Sequence, residues 1–268
     1  MANPYRAAAV QRLPDVLICA GLDPSGGAGL IADIRVVDEL GCRPCGVVTA
    51  LTVQNTTGVV GSHPCDPDIV GHELAFLMTD IEMRAIKIGM VGSSALARAI
   101  ANALHLSAAP VVWDPVMYPS RGSERLNADD SHDDAMTALR PHLTLVTPNK
   151  QELFLMTGLP TGTTVMAEAA GRALAQKLDT AVLIKGGHFG GDESIDILLH
   201  AGGREELRGP RTRGGEDVHG TGCALASAIA SNLAHGRELV EACQLAKEYV
   251  AKLIENPVHP GRGAAAVK

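Results

Sequence analysis

Short apolar runs ended by glycine or a polar residue recur along the chain, and polar-studded stretches of helical length separate them. The runs at 15–21 (DVLICAG), 46–51, 85–89, 110–114, 143–146 and 181–184 have the pattern of strands buried on both faces of a parallel sheet. Between them the spacing predicts helices over 28–40, 67–79, 94–106, 130–139, 149–156 and 167–178. Strands alternating with helices of this length imply right-handed βαβ units and a sheet covered on both faces. The rhythm then changes. Segments 194–200 and 204–207 flank Gly202-Gly203 and predict a β-hairpin with a two-residue turn at a sheet edge. Helices over 222–234 and 238–254 complete the fold, and 257–268, rich in Gly, Pro and Ala, reads as a loose tail. No internal repeat or long linker interrupts this order. The expectation is one three-layer αβα domain over 15–256 with a mostly parallel central sheet and a small edge hairpin, between a disordered leader at 1–14 and a flexible tail at 257–268.

Composition narrows the function classes. Hydrophobic residues at 46% and charged residues at 20% suit a buried core rather than a disordered chain. A formal charge of −7 and a pI near 5.8 argue against a broad basic surface, so nucleic acid is not expected as a partner. No apolar run reaches the roughly 20 residues that span a bilayer, and the first residues lack the apolar core of a signal peptide. A cytoplasmic protein without a membrane partner is expected. The six cysteines (19, 42, 45, 65, 223, 243) are too sparse for a disulfide framework and are expected to be reduced packing residues. Cys42-Arg43-Pro44-Cys45 has the spacing of a redox pair, but it leaves a predicted helix and enters a strand, the reverse of that motif's setting.

In open α/β sheets ligands sit beyond the carboxyl ends of the strands, and chemically unusual residues follow nearly every predicted strand here. After the first comes Gly21-Leu22-Asp23-Pro24-Ser25-Gly26-Gly27-Ala28-Gly29, where four glycines permit close backbone approach to a ligand and a helix then presents free N–H groups. It is neither a Walker A sequence nor a dinucleotide fingerprint in register, and a plain tight turn stays open. After the second, Gln54 offers an adjacent donor and acceptor, the complement of a ring nitrogen beside an exocyclic amine; taken alone it reads first as an ordinary loop amide. Lys87-Ile88-Gly89-Met90 supplies a thioether able to cover a flat ring or simply to pack. Trp113-Asp114-Pro115-Val116-Met117 ends the next strand with a carboxylate. Asn149 and Glu152 open a helix on one face as oxygen ligands suited to Mg²⁺ through water, or as a cap. Lys185-Gly186-Gly187 brings a cation for a phosphate. His219-Gly220-Thr221-Gly222-Cys223 opens an Ala-rich helix whose amides form an anion hole, and the same field favours a thiolate at Cys223; a buried packing cysteine is the alternative.

Taken in order, the motifs GLDPSGGAG, VTALTVQNT, KIGM, DPVM, TPNxxE, KGGH and HGTGC resemble those of the bacterial hydroxymethylpyrimidine and phosphomethylpyrimidine kinases of thiamin biosynthesis, within the ribokinase-like group, over about 15–256, almost the whole chain. The resemblance implies two transfers from ATP, first to the hydroxyl of 4-amino-5-hydroxymethyl-2-methylpyrimidine and then to its monophosphate. It implies Gln54 at the pyrimidine edge, with Gly21, Asp33, Met90 and Val116 around the ring. Asn149 and Glu152 would hold Mg²⁺ through water, and Lys185 would face the nucleotide phosphates. Gly220, Thr221 and Gly222 would form the anion hole, with Cys223 nearest the accepting hydroxyl; Lys185, Thr221 and Gly222 would also bind the nucleotide. Family members are commonly homodimers. One loop departs: where the family has a lysine after Val-Met, Ser120 stands here with Arg121 beside it. Either Arg121 supplies the cation from one position over or the loop serves a narrower activity. Two other functions compete: a pyridoxal or pyridoxine kinase, which Gln54 and Cys223 disfavour, and a catalytically silent ligand-binding protein on the same fold.

Overall fold

A computed structural model describes residues 12–118, 132–187, 193–212 and 214–267. Most of the expected leader, and the Ser120-Arg121 loop with His188, lie outside the described residues. The strands are β1 (Asp15–Leu22), β2 (Arg43–Asn55), β3 (Gly58–Pro64), β4 (Ala85–Ile88), β5 (Val111–Trp113), β6 (Leu143–Val146), β7 (Ala181–Ile184), β8 (Glu193–His200) and β9 (Gly203–Pro210). They form one nine-stranded sheet in the order β3-β2-β1-β4-β5-β6-β7-β8-β9. From β2 to β7 every pairing is parallel, while β3 at one edge and β8 and β9 at the other run antiparallel.

Side chains alternating along each strand feed two apolar layers. Leu17 and Cys19 of β1 face the layer of α2 (Pro67–Asp80), α3 (Ser94–Leu104), α4 (His132–Leu139), α5 (Lys150–Thr157) and α6 (Thr164–Leu178). Val16, Ile18 and Ala20 face α1 (Gly29–Glu39), α7 (Thr221–Ala234) and α8 (Leu239–Glu255). The three-layer expectation holds. Cys42 lies in the second layer and Cys45 in the first, on opposite faces of the sheet, so the two thiols form no redox pair, and all six cysteines are free. Among the described residues no helix is long and apolar enough to cross a membrane.

Three sequence expectations need correction. Strand β2 continues well past the predicted 46–51 and turns back as β3, an edge strand absent from the sequence reading. Beyond the helical layers exposure alternates along this hairpin, with Leu51 and Val53 about half exposed, so no continuous apolar run marks it. The β8–β9 turn falls at Ala201-Gly202, one residue earlier than predicted, because His200 pairs with Gly203.

The third correction concerns the tail, which is built into the molecule. Val258 and Ala266 exchange two backbone hydrogen bonds at 2.9 Å, His219 N donates to Ala265 O at 2.8 Å, and Val267 N donates to His219 O at 3.1 Å. Ala264 N donates to Thr56 O at 2.8 Å, at the β2–β3 turn. Any side chain at Gly263 would meet that same carbonyl at 1.8 Å, so glycine is required for the approach. Ala264, Ala266 and Val267 are buried.

Candidate active site

Between β1 and β4 the chain order reverses: α1 leads from β1 to β2 on one side, and β4 takes the other. Such a switch point leaves a crevice at the carboxyl ends of the strands. A cavity of about 420 Å³ opens there.

One end of it is apolar. Met90 and Val116 pack with Ala50 and Val59 in a small cluster of their own, reached from β4, β5 and the β2–β3 hairpin. A Cβ at Gly21 would sit 2.9 Å from Met90 Sδ, so the bare backbone there lets the thioether lie against the end of β1. Gln54 faces this space from β2, with its carboxamide between Thr52 Oγ1 (3.3 Å) and His219 Nε2 (3.1 Å). The structure therefore brings Gly21, Gln54, Met90 and Val116 together as the resemblance implied.

Asp33 is placed elsewhere. Its carboxylate lies beneath the cavity without lining it, fully buried, accepting from Lys87 Nζ at 2.5 Å and from Ser227 Oγ at 2.8 Å. It joins α1, β4 and α7, and neither oxygen is left for a ring. Burial alone would lower the Lys87 ammonium, but Asp33, with Cys223 and Asp114, holds it above the ordinary lysine range.

At the other end α7 begins at the cavity with no side-chain cap. Gly220 takes φ +88°, and a Cβ there would meet Gly27 O at 2.0 Å, so the turn that aims the first amides of α7 is glycine's alone. Thr221, Gly222 and Cys223 line the opening, and first-turn N–H groups have no partner within a helix. Lys185, just past β7, reaches across: Nζ donates to Asp114 Oδ1 at 2.7 Å and lies 3.5 Å from Glu152 Oε2. A Cβ on Gly222 would come 3.3 Å from that ammonium, so the missing side chain keeps Lys185 beside the helix end. Asp114 and Glu152 oppose burial and hold Lys185 above its ordinary range. Burial pushes the Glu152 carboxyl up to about 7, Lys185 opposing and Asp114 adding to the shift.

Asn149 and Glu152 form a reciprocal cap on α5. Asn149 Oδ1 accepts from the Gln151 and Glu152 amides, both at 2.9 Å, and Glu152 Oε2 accepts from the Asn149 amide at 2.7 Å. Cys223 departs from the thiolate expectation. Burial pushes its thiol up to about 11 despite Lys87, so the helix field is outweighed and the sulfur carries its proton at neutral pH.

Several cavity residues were not singled out from the sequence. Lys87, a charge within an apolar run, was visible as an anomaly. Asp23 carried its signal in Asp-Pro-Ser, a turn sequence in which the carboxylate accepts from the Ser25 amide at 2.8 Å. Asp114 was noted as a strand-end carboxylate without a role. Val218, Leu225, Val250 and Ile254, which give the cavity a second apolar wall, look like ordinary core residues in sequence.

The family model for phosphomethylpyrimidine kinase matches residues 23–268. The chain belongs to this family. The hydroxymethylpyrimidine/phosphomethylpyrimidine kinase of Streptomyces coelicolor is 37% identical over 241 residues, 90% of this chain and 88% of that protein. The solved phosphomethylpyrimidine kinase of Clostridium difficile is 33% identical, with a TM-score of 0.76 over 91% of this chain and 100% of that one. Pyridoxal kinase of Staphylococcus aureus, solved with AMP-PCP and pyridoxal, superposes at a TM-score of 0.85 with 27% identity over 96% and 93% of the two chains.

A phosphomethylpyrimidine kinase needs a place for a triphosphate, and the uncapped end of α7 beside Lys185 offers free helix amides and an ammonium for it. A divalent ion also fits. Among the described residues no three acidic, His or Cys groups converge as a closed metal site, and Mg²⁺ characteristically takes only one or two protein carboxylates, completing its shell with water and phosphate. The Asp114 and Glu152 carboxylates beside Lys185 meet that requirement.

Proposed function

We propose that this phosphomethylpyrimidine kinase transfers the γ-phosphoryl group of ATP to the hydroxymethyl group of 4-amino-5-hydroxymethyl-2-methylpyrimidine, and then phosphorylates the monophosphate to the diphosphate. The observation that carries the reading is the placement of one carboxamide, Gln54, beside an apolar floor of Met90 and Val116, in the same cavity as the bare N-terminus of α7 and Lys185.

In this reading the ring lies against Met90 and Val116, and Gln54 meets its amino edge. Amides of Thr221 and Gly222, with Lys185, hold the transferring phosphoryl group where its charge develops. Glu152, with Asn149 on the same helix end and Asp114 beside Lys185, would hold Mg²⁺ through water. Bound Mg²⁺ supplies neutralisation of the phosphate oxygens. Cys223, protonated, orients the accepting hydroxyl rather than stripping it, which suits a transfer with little nucleophile activation. Pyridoxal kinase is disfavoured because the relatives at 37% identity are named for the pyrimidine activity, whereas the pyridoxal kinase likeness rests on a structure at 27%.

The test is a coupled ADP-release assay with the pyrimidine alcohol, its monophosphate and pyridoxal in parallel, on wild type and Gln54→Ala. Both pyrimidines should turn over, and Gln54→Ala should raise KM for the alcohol more than tenfold, in line with about 1–3 kcal/mol for an orphaned polar edge. Pyridoxal as the better substrate would overturn the reading.

A further inference from the structure

Gln54, His219 and Asp23 meet beside the ring end of the cavity, and their protons can be assigned. Asp23, buried, accepts through Oδ1 from the Ser25 amide (2.8 Å) and hydroxyl (2.7 Å), and through Oδ2 from the Ala28 amide (3.1 Å). Burial alone would raise this carboxyl, but the hydrogen bonds from His219 and Ser25 hold it below the ordinary range, so it is ionised at neutral pH. His219 Nε2 lies 3.2 Å from Oδ2, and a carboxylate has no proton to give, so Nε2 carries one and donates.

Gln54 Nε2 lies 3.1 Å from that same ring nitrogen, where a second N–H donor cannot face the first. Across the amide, Thr52 Oγ1 donates to Leu22 O at 2.9 Å yet stands 3.3 Å from Gln54 Oε1, and a hydroxyl has one proton. Amide oxygen and nitrogen are assigned from their neighbours, and exchanging them here gives each of these contacts one donor and one acceptor. Gln54 Oε1 then accepts from His219 Nε2–H, which is shared with Asp23; the Gln54 amine donates to Thr52 Oγ1, whose own proton stays on Leu22 O.

The ring of His219 is not free to relax the arrangement. It lies against the backbone of Gly27, where a Cβ would come 2.8 Å from its Cδ2, and its own N–H and C=O are held by Ala265 and Val267.

We propose that His219, oriented by Asp23, is a positioning residue that sets substrate specificity. It fixes the polarity of the Gln54 amide, with the acceptor on the His219 side and the donor on the Thr52 side. The site then takes a ring with an exocyclic amine beside an unprotonated ring nitrogen and rejects one with an exocyclic oxygen beside a ring N–H. To serve the second ring Gln54 must turn its amine onto the His219 proton. The inference rests on the proposed reading that Gln54 meets the ring.

The experiment compares kcat/KM for the 4-amino alcohol and its 4-oxo analogue in wild type, His219→Phe and His219→Gln. Phenylalanine keeps the ring without a donor, and glutamine offers either a donor or an acceptor. Wild type should favour the amine strongly, and the ratio should fall at least tenfold in each variant, mainly through KM for the amine. A merely structural histidine would lower both rates and leave the ratio unchanged, and an unchanged ratio in a variant with a normal melting transition overturns the inference. Should His219→Phe fail to fold, His219→Gln carries the measurement alone. If wild type phosphorylates neither pyrimidine, the proposed function falls with it; if Gln54→Ala weakens the amine while the His219 ratio stays fixed, only this inference falls.

Discussion

Lys87 and Lys185 stand near the carboxyl ends of two parallel strands, and each gives its ammonium to one carboxylate, at 2.5 Å to Asp33 and 2.7 Å to Asp114. Residue type and the kind of partner are the same. Their surroundings are not. Lys87, in the wall of the cavity, and Asp33 beneath it are both at 0% exposure, and the second oxygen of Asp33 accepts from Ser227. Lys185 is 14% exposed, faces the cavity, and has a second carboxylate, Glu152, at 3.5 Å. A pair at 0% exposure, with both oxygens of Asp33 engaged, fastens α1, β4 and α7 to one another, whereas a pair with one side open to solvent keeps charge available for a ligand. Ion pairing alone therefore does not distinguish a structural lysine from a reactive one; what differs here is exposure and the number of carboxylates within reach.

The largest expected effect breaks the sealed pair. Lys87→Met should leave Asp33 as an uncompensated buried charge and lower stability by about 3–5 kcal/mol. Urea unfolding reads this directly, and Lys87→Met combined with Asp33→Asn should recover part of the loss. A melting curve unchanged in the single variant would erase the distinction between the lysines.

Next comes Lys185→Met, which should lower kcat about 10²–10³-fold, the usual effect of removing one preorganised donor to developing charge. Its stability should fall less than that of Lys87→Met, since cavity water reaches Asp114 and Glu152. Steady-state kinetics beside the same unfolding assay separates the two; a normal kcat would make Lys185 a structural twin of Lys87.

The smallest effect concerns the surplus carboxylate. With Glu152 near 7 in the folded protein against 4.5 ordinarily, the native state holds the extra proton between those values. Its contribution to stability is fully present below about 4.5 and is lost as pH rises through about 7. Glu152→Gln, which can still close the α5 cap, should flatten that slope in ligand-free protein. An identical pH profile of unfolding in the variant would show that Lys185 satisfies Glu152 completely.

The parallel core was legible because Val, Ile and Leu runs punctuated by glycine leave little ambiguity, and the helices between them agree to within three residues where both ends are described. Gln54, Met90 and Val116 could be read as strand-end residues, and the fold converges such ends. Asp33 could not be placed, because a helix carboxylate in sequence says nothing of whether its face meets water, a ligand or a buried lysine. The hairpin strand β3 and the 257–267 segment escaped for a related reason: backbone hydrogen bonds hold them, and no side-chain pattern announces those. Cys223 shows two physical effects in competition, the helix field favouring a thiolate and burial opposing it, and only the fold reveals which prevails.

The bond pair between His219 and the Ala265–Val267 stretch has a bearing on the order of biosynthesis. Ribosomes deliver β1, the first apolar layer and the whole of α7 before any of residues 257–267, so a nascent chain can own each group that faces the ring and still lack the clamp on His219. The clamp on the pocket is thus built from the last-made stretch of the domain, one that contributes almost no side chains to the cavity it fixes.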